Sequence, residues 1–137
     1  MKYLGIDYGM KKTGLALGDS DAGVAVPFGL IPGGEETLPR VMGMIKDEGI
    51  EAFVVGLPLP TTIHQSDEQL KRVMAFVRTL EETTGLPVAL VDEQFSSTEA
   101  RRVQKEMGAT ASEDAIAAML ILQAFFDEGP ADASLVS

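Results

Sequence analysis

Short apolar runs punctuated by glycine, alternating with stretches of helical spacing, set the pattern of this chain. Leu4-Gly5-Ile6-Asp7 runs into the polar turn Tyr8-Gly9-Met10-Lys11-Lys12, and Thr13-Gly14-Leu15-Ala16-Leu17-Gly18 resumes the apolar pattern. Two such runs around a glycine-containing turn predict a hairpin of strands 3–7 and 13–18. Val24-Ala25-Val26 and Phe28-Gly29-Leu30-Ile31 predict a third strand, which Pro27 marks as an edge or a bulge. From Glu35 to Glu48 the apolar set Leu38, Val41, Met42 and Ile45 has helical spacing, and Gly49 ends it. Ala52-Phe53-Val54-Val55-Gly56 is apolar throughout, as a strand buried on both faces requires. Ser66-Asp67-Glu68-Gln69 has capping-box spacing, and Leu70, Val73, Met74, Val77 and Leu80 carry the helix it opens toward Gly85 and Pro87. Val88-Ala89-Leu90-Val91 predicts a further buried strand.

Asp92-Glu93 follows that strand, and Ser96-Ser97-Thr98-Glu99 again has capping-box spacing, predicting a short basic helix through Met107. Ser112 is a candidate N-cap for a last helix, Ala115 to about Phe126, which is apolar nearly all the way round and so should be the most buried. Residues 129–137 read as a flexible C-terminal tail. The order βββαβαβαα predicts an α/β fold, a mixed five-stranded sheet with helices on both faces, in one domain over residues 1–128.

Composition narrows the chemistry. With no cysteine and a single histidine among 137 residues, disulfides, zinc-thiolate sites, thiol nucleophiles and an all-histidine metal site are excluded. No basic-then-apolar leader opens the chain and no apolar run reaches membrane-spanning length, so a cytoplasmic protein without a membrane anchor is expected. The net charge of −10 argues against non-specific phosphate binding, which runs on Lys and Arg. The basic residues are nevertheless clustered. Lys11 and Lys12 share the first turn, Lys71 and Arg72 one helix, and Arg101, Arg102 and Lys105 another.

Three acids stand where strands end or a helix begins: Asp7, Glu93 and Asp114. A carboxylate in the middle of a sheet is costly unless a metal, a lysine or turn N–H groups face it. Each acid also has a purely structural explanation, as a turn cap for Asp7, a helix-terminus charge for Asp114 and a solvated acid for Glu93. Sites in open α/β sheets gather at strand ends. Carboxylates crowded there repel one another unless cations neutralise them, and oxygen-only ligands suit Mg²⁺ or Mn²⁺.

Gly5-Ile6-Asp7-Tyr8-Gly9 with Lys11-Lys12 and Gly14-Leu15-Ala16-Leu17-Gly18-Asp19 resembles the opening motif of the YqgF/RuvX family. These small bacterial proteins have a ribonuclease H-like fold and are described as Holliday junction resolvases and as nucleases maturing the 16S ribosomal RNA precursor. Val54-Val55-Gly56-Leu57-Pro58-Leu59 is similar to the second motif, and Asp92-Glu93 with Ser96-Ser97-Thr98-Glu99-Ala100 to the third. Asp114-Ala115-Ile116-Ala117-Ala118-Met119-Leu120-Ile121-Leu122-Gln123 is similar to the fourth. The chain departs from the pattern at Gln94, where the family commonly has Arg, at Glu113, and in the loop Pro60 to Gln65 that contains His64.

The resemblance places Asp7, Glu93 and Asp114 on the family's acidic, catalytic and metal-binding positions. It implies a Mg²⁺- or Mn²⁺-dependent nuclease acting on structured nucleic acid, either ribosomal precursor RNA or branched DNA, as a monomer or homodimer. Lys11, Lys12, Arg101, Arg102 and Lys105 are the candidate nucleic-acid-binding residues. A rival class, the actin-like ATPases and sugar kinases, shares the Gly-Ile-Asp-x-Gly opening but needs two facing domains, and no Gly-x-x-x-x-Gly-Lys-Ser/Thr loop is present. A non-catalytic module that binds RNA or protein through the Arg101-Arg102-Lys105 helix is the other alternative.

Overall fold

The structure, a computed structural model, describes residues 1–58, 65–93, 102, 105–106 and 112–128. Five strands form one sheet: β1 (Lys2–Asp7), β2 (Lys12–Asp19), β3 (Val24–Pro32), β4 (Ala52–Pro58) and β5 (Val88–Glu93), in the order β3-β2-β1-β4-β5. β1, β2 and β3 are antiparallel neighbours, while β4 pairs parallel with both β1 and β5. The sheet is therefore mixed, as expected. β3 is an edge strand whose register shifts opposite the Leu15–Ala16 step, which accommodates Pro27 without demanding an N–H from it.

A short 3₁₀ turn, Gly34–Glu36, leads into α1 (Thr37–Glu48), so the α-helix begins two residues later than the acidic run from Glu35 predicts. Gly34 has φ 63°, a left-handed conformation that breaks the entry and favours glycine. At the other end Gly49 caps α1 at φ 67°, its N–H bonded to the Ile45 carbonyl. α2 (Gln65–Thr84) and α3 (Glu113–Glu128) complete the described elements. The Ser66 capping box falls on side chains outside the described residues, as do most of the basic helix and the tail 129–137.

Strand alternation divides the core in two. Leu4, Ile6, Leu15, Phe53, Val55 and Leu90 face α1 and α2, packing against Val41, Val73, Val77 and Leu80. On the other face Ala16, Ala25, Val54, Ala89 and Val91 meet Ala118, Ile121 and Leu122 of α3. Helices thus cover both faces. α3 lies unusually close to the sheet, because the strand residues beneath it are small. A Cβ on Gly5 would stand 2.9 Å from the Leu122 Cβ and 3.0 Å from the Ala118 carbonyl, and one on Gly18 would stand 2.7 Å from the Phe126 ring. Tyr3 closes the far end, its ring 5.2 Å from Phe125 and 5.7 Å from Phe126. No helix among the described residues is long and apolar enough to cross a membrane.

Candidate functional site

Asp7 is the last residue of β1 and pairs across the ladder with Gly14 of β2. Successive strand residues point to opposite faces. Gly5 abuts α3 while Leu4 and Ile6 fill the opposite core, so Asp7 falls on the α3 face, half-buried. Gly14 shares that face. A Cβ there would lie 2.0 Å from the Asp114 carbonyl oxygen, so only glycine lets the first turn of α3 descend onto β2. Asp7 and Asp114 therefore flank one glycine, although they are far apart in sequence.

α3 starts where Ser112 allows it to. The Ala115 N–H donates to Ser112 Oγ at 3.1 Å and the Ile116 N–H to the Ser112 carbonyl at 3.0 Å, so Ser112 is the expected N-cap. The helix nonetheless begins at Glu113, two residues before the predicted start, which puts Asp114 in the first turn beside the positive end of the helix dipole. Lys12 Nζ approaches Asp114 Oδ2 to 3.6 Å, both groups partly in solvent. Among the described residues the strand end and the helix N-terminus thus bring Asp7, Asp114 and Lys12 to one region.

The turn that supplies Lys11 and Lys12 is clamped to the loop before α1. The Gly33 N–H donates to the Lys11 carbonyl at 3.0 Å and the Gly34 N–H to the Gly9 carbonyl at 2.9 Å. A Cβ at Gly33 would lie 2.3 Å from the Gly9 carbonyl oxygen, so no other residue permits this approach. Beneath it runs a directed chain of hydrogen bonds. Thr37 Oγ1 donates to the Pro32 carbonyl at 2.9 Å, leaving Thr13 Oγ1 to donate to Thr37 Oγ1 at 3.1 Å and to accept from the Gly9 N–H at 3.3 Å. Thr13 and Thr37 are fully buried, and this chain of bonds gives each hydroxyl a partner as donor and as acceptor. The sequence marks the glycines as turn and motif residues and assigns the threonines no role. Only the closeness of Gly9, Thr13 and Gly14 to Asp7 hinted at them.

Glu93 is the last residue of β5 and pairs with Pro58 of β4. The parallel registers, Ile6 with Val55 and Gly56 with Val91, bring the ends of β1, β4 and β5 to one edge. Two inter-strand spacings separate β1 from β5, roughly 10 Å. The Glu93 side chain, Gln94, His64 and Arg101 lie outside the described residues. Of the remaining basic candidates, Lys11 and Lys105 are exposed, and Arg102 Nη1 sits 3.3 Å from Glu106 Oε1 in an exposed ion pair one helical turn apart. Among the described residues no three His, Cys, Asp or Glu side chains converge at metal-binding range. Gln123, the last residue of the fourth motif, has a structural duty: its amide accepts from the Ala25 N–H and donates to the Gly23 carbonyl, both at 2.9 Å, fastening α3 to the start of β3.

On the other side of Asp7, Tyr8 turns toward α2. Its ring stacks on Phe76, with centroids 4.3 Å apart and planes 13° from parallel. Burial raises the Tyr8 phenol above its ordinary pKa; Arg72 opposes that shift and Glu35 adds to it.

Comparison with known proteins identifies the fold and the family. The family model described as "RuvX: Holliday junction resolvase" matches residues 1–128. A protein of Nitratidesulfovibrio vulgaris named "Putative pre-16S rRNA nuclease" is 38% identical, over 93% of this chain and 94% of its own length. A protein of the same name from Methylobacillus flagellatus is 35% identical over 90% of this chain and 89% of its own. Among solved structures, T. thermophilus RuvC in complex with a Holliday junction substrate superimposes with a TM-score of 0.62 at 16% identity, covering 96% of this chain and 98% of that one. Fowlpox virus resolvase with its Holliday junction DNA gives 0.61 at 9% identity, covering 93% of this chain and 97% of the other. The fold is thus the ribonuclease H-like one of these resolvases, and the chain belongs to the RuvX family.

Proposed function

We propose that this protein is a divalent-metal-dependent nuclease that hydrolyses phosphodiester bonds in structured nucleic acid, with the 16S ribosomal RNA precursor as its substrate in the cytoplasm. The observation that carries this reading is the placement of Asp7 and of the Asp114 backbone beside the same residue, Gly14, at the positive end of α3. Gly14, which admits no side chain, lets the first turn of α3 carry Asp114 down to the strand end where Asp7 stands.

The donor chemistry fits a hard cation. Asp7, Asp114 and Glu93 offer oxygen alone, the ligand set of Mg²⁺ or Mn²⁺. When bound, such an ion supplies Lewis-acid stabilisation of phosphoryl charge and lowers the pKa of water. The protein's own residues do the positioning. Asp7 is fixed by its ladder pairing with Gly14, and Asp114 by the Ser112 cap. Lys12, tied to Asp114, moderates the repulsion between carboxylates and presents an ammonium to the substrate backbone. Lys11, on the same clamped turn, takes a neighbouring phosphate, and Arg101, Arg102 and Lys105 take flanking ones. Two relatives named for the ribosomal precursor favour that substrate. The family description and the resolvase neighbours favour a second reading, cleavage of four-way DNA junctions.

Cleavage of precursor RNA and of a DNA four-way junction, each with Mg²⁺, Mn²⁺ or chelator, decides between them. We expect metal-dependent cleavage of the RNA. Asp7→Asn should reduce it by at least a hundredfold while the chelator-treated variant melts at or above the wild-type temperature, since one member of a repelling pair is neutralised. An Asp7→Asn protein that unfolds would assign Asp7 to turn capping. A well-folded variant that cleaves normally would remove the nuclease reading and favour a non-catalytic binding module.

A further inference from the structure

Asp7 and Tyr8 are neighbours in the chain but serve opposite faces of the sheet. Asp7 ends β1 beside α3, whereas Tyr8 packs into the core under α1 and α2. Beside Tyr8 an open-sided cavity of about 370 Å³ lies between the first turn, the 3₁₀ turn and the outer side of α2. Its walls are Tyr8, Phe76, Met10 and Leu38, and its polar groups include Arg72 and Glu35. The proposed nuclease mechanism uses none of them.

We propose that this cavity receives one unstacked nucleobase of the strand whose phosphate lies at Asp7 and Asp114. The inference rests on the nuclease reading for the position of that phosphate. Size, chemistry and continuity all argue for a base. The cavity takes one planar ring system and excludes a duplex. Phe76, itself buried, stacks on the Tyr8 ring and fixes it as a platform of the kind on which single-stranded bases are held. Met10 is half exposed and flexible, so it closes over a ring of either size.

The polar groups match the two ends of a nucleotide. Among the described residues the Arg72 guanidinium makes an exposed contact with Glu68, at 3.7 Å, which leaves donors for the phosphate that follows the base. Glu35 accepts from a ring N–H or amino group on the edge of the base. Continuity comes from the chain itself. Asp7 and Tyr8 are consecutive at the sheet edge and point to opposite faces, so a strand that crosses this edge with its phosphate at the acids on one face passes the Tyr8 pocket on the other. Such a pocket selects for distorted or single-stranded positions, because only there is a base free to leave its stack.

The test uses a short single-stranded RNA with 2-aminopurine at one position, bound to the full chain in chelator so that no hydrolysis intervenes. Insertion against Tyr8 and Phe76 quenches the 2-aminopurine emission of the wild-type complex. Ala75→Leu, on the exposed side of α2 where it fills the cavity without touching the core, restores the emission and weakens binding roughly 5- to 150-fold, the worth of one stacked base. Tyr8→Leu does the same and serves as the second variant. No quenching with wild type, or quenching that Ala75→Leu leaves intact, overturns the proposal. Asp7→Asn keeps the quenching while losing cleavage, which separates the two readings. Quenching by a wild type that cleaves nothing sinks the nuclease alone, and cleavage without quenching sinks the pocket alone.

Discussion

The side of the sheet that carries α1 and α2 is built from Leu4, Ile6, Leu15, Phe53 and Val55, all fully buried, and its helices stand off at the distance those side chains set. The side that carries α3 offers Gly5, Gly14, Ala16 and Gly18 on β1 and β2, and there the helix meets strand backbone. The first arrangement buries area and stabilises. The second gives up area for closeness, and closeness brings the start of α3, with Asp114, to the end of β1, with Asp7. One sheet thus separates its two tasks by face, with folding energy on the bulky side and the assembly of charge on the small one. The comparison predicts that substitutions on the bulky face act on stability first, and that those on the small face act on cleavage out of proportion to stability.

The largest loss of stability should follow Leu15→Ala. Leu15 is fully buried on the central antiparallel pair, so its removal leaves a cavity that costs about 2–5 kcal/mol. Urea denaturation measures this, with cleavage per folded molecule near the wild-type level. A cost below about 1 kcal/mol would mean that α1 and α2 settle into the space, and the bulky face would lose its claim to be the stability-bearing one.

Gly14→Ala tests the small face of the sheet. The added Cβ meets the Asp114 carbonyl oxygen, so the first turn of α3 must retreat, at a cost of about 1–3 kcal/mol. A displacement on the order of 1 Å at a reacting centre lowers turnover roughly a hundredfold. We therefore expect cleavage to fall far more than folding does. Gly29→Ala is the control, because a Cβ there meets nothing within 4 Å. It should change neither cleavage nor stability by more than about 0.5 kcal/mol. Equal behaviour of the two variants would remove the argument that closeness places the acids.

The division between faces explains what the sequence disclosed. Strands and helices were legible because a helix buried on one face shows a period of 3.6 residues and a strand buried on both faces an unbroken apolar run, and α1, β4 and β5 follow these patterns. Pro27 marked the edge strand correctly, since a missing N–H is tolerated only there. Asp7, Glu93 and Asp114 were visible as strand-end and helix-start residues, and Ser112 as a cap. The glycine stripe was not legible as such. Glycines carry no hydrophobic signal, and Gly5, Gly14 and Gly18 share a face only once β1 and β2 pair. The Thr13–Thr37 bond and the Tyr8–Phe76 stack escaped for the same reason, because each joins residues that only the tertiary fold brings together. The extension of β4 to Pro58 was missed because Leu57 and Pro58 owe their strand geometry to pairing with Asp92 and Glu93, not to any local pattern.

The smallest expected effect falls on Lys12, the cation that the described residues place beside Asp114. Lys12 lies 3.6 Å from Asp114 with most of its side chain in solvent, so the pair should contribute no more than about 1 kcal/mol to folding. If Lys12 serves only as a tie for α3, Lys12→Met shifts stability slightly and leaves nucleic-acid binding alone. If it holds a substrate phosphate, stability hardly changes, while the slope of log affinity against log salt becomes shallower by about one ion equivalent. Titrations of a folded RNA at several salt concentrations, run beside urea denaturation of the same variant, separate these outcomes. We expect the shallower slope. Lys12 occupies an exposed turn whose backbone is already clamped through Gly33, Gly34 and Thr13, so the fold has little need of the ion pair. An unchanged slope would return Lys12 to the structural account and leave Lys11 as the cation of this turn that meets the backbone.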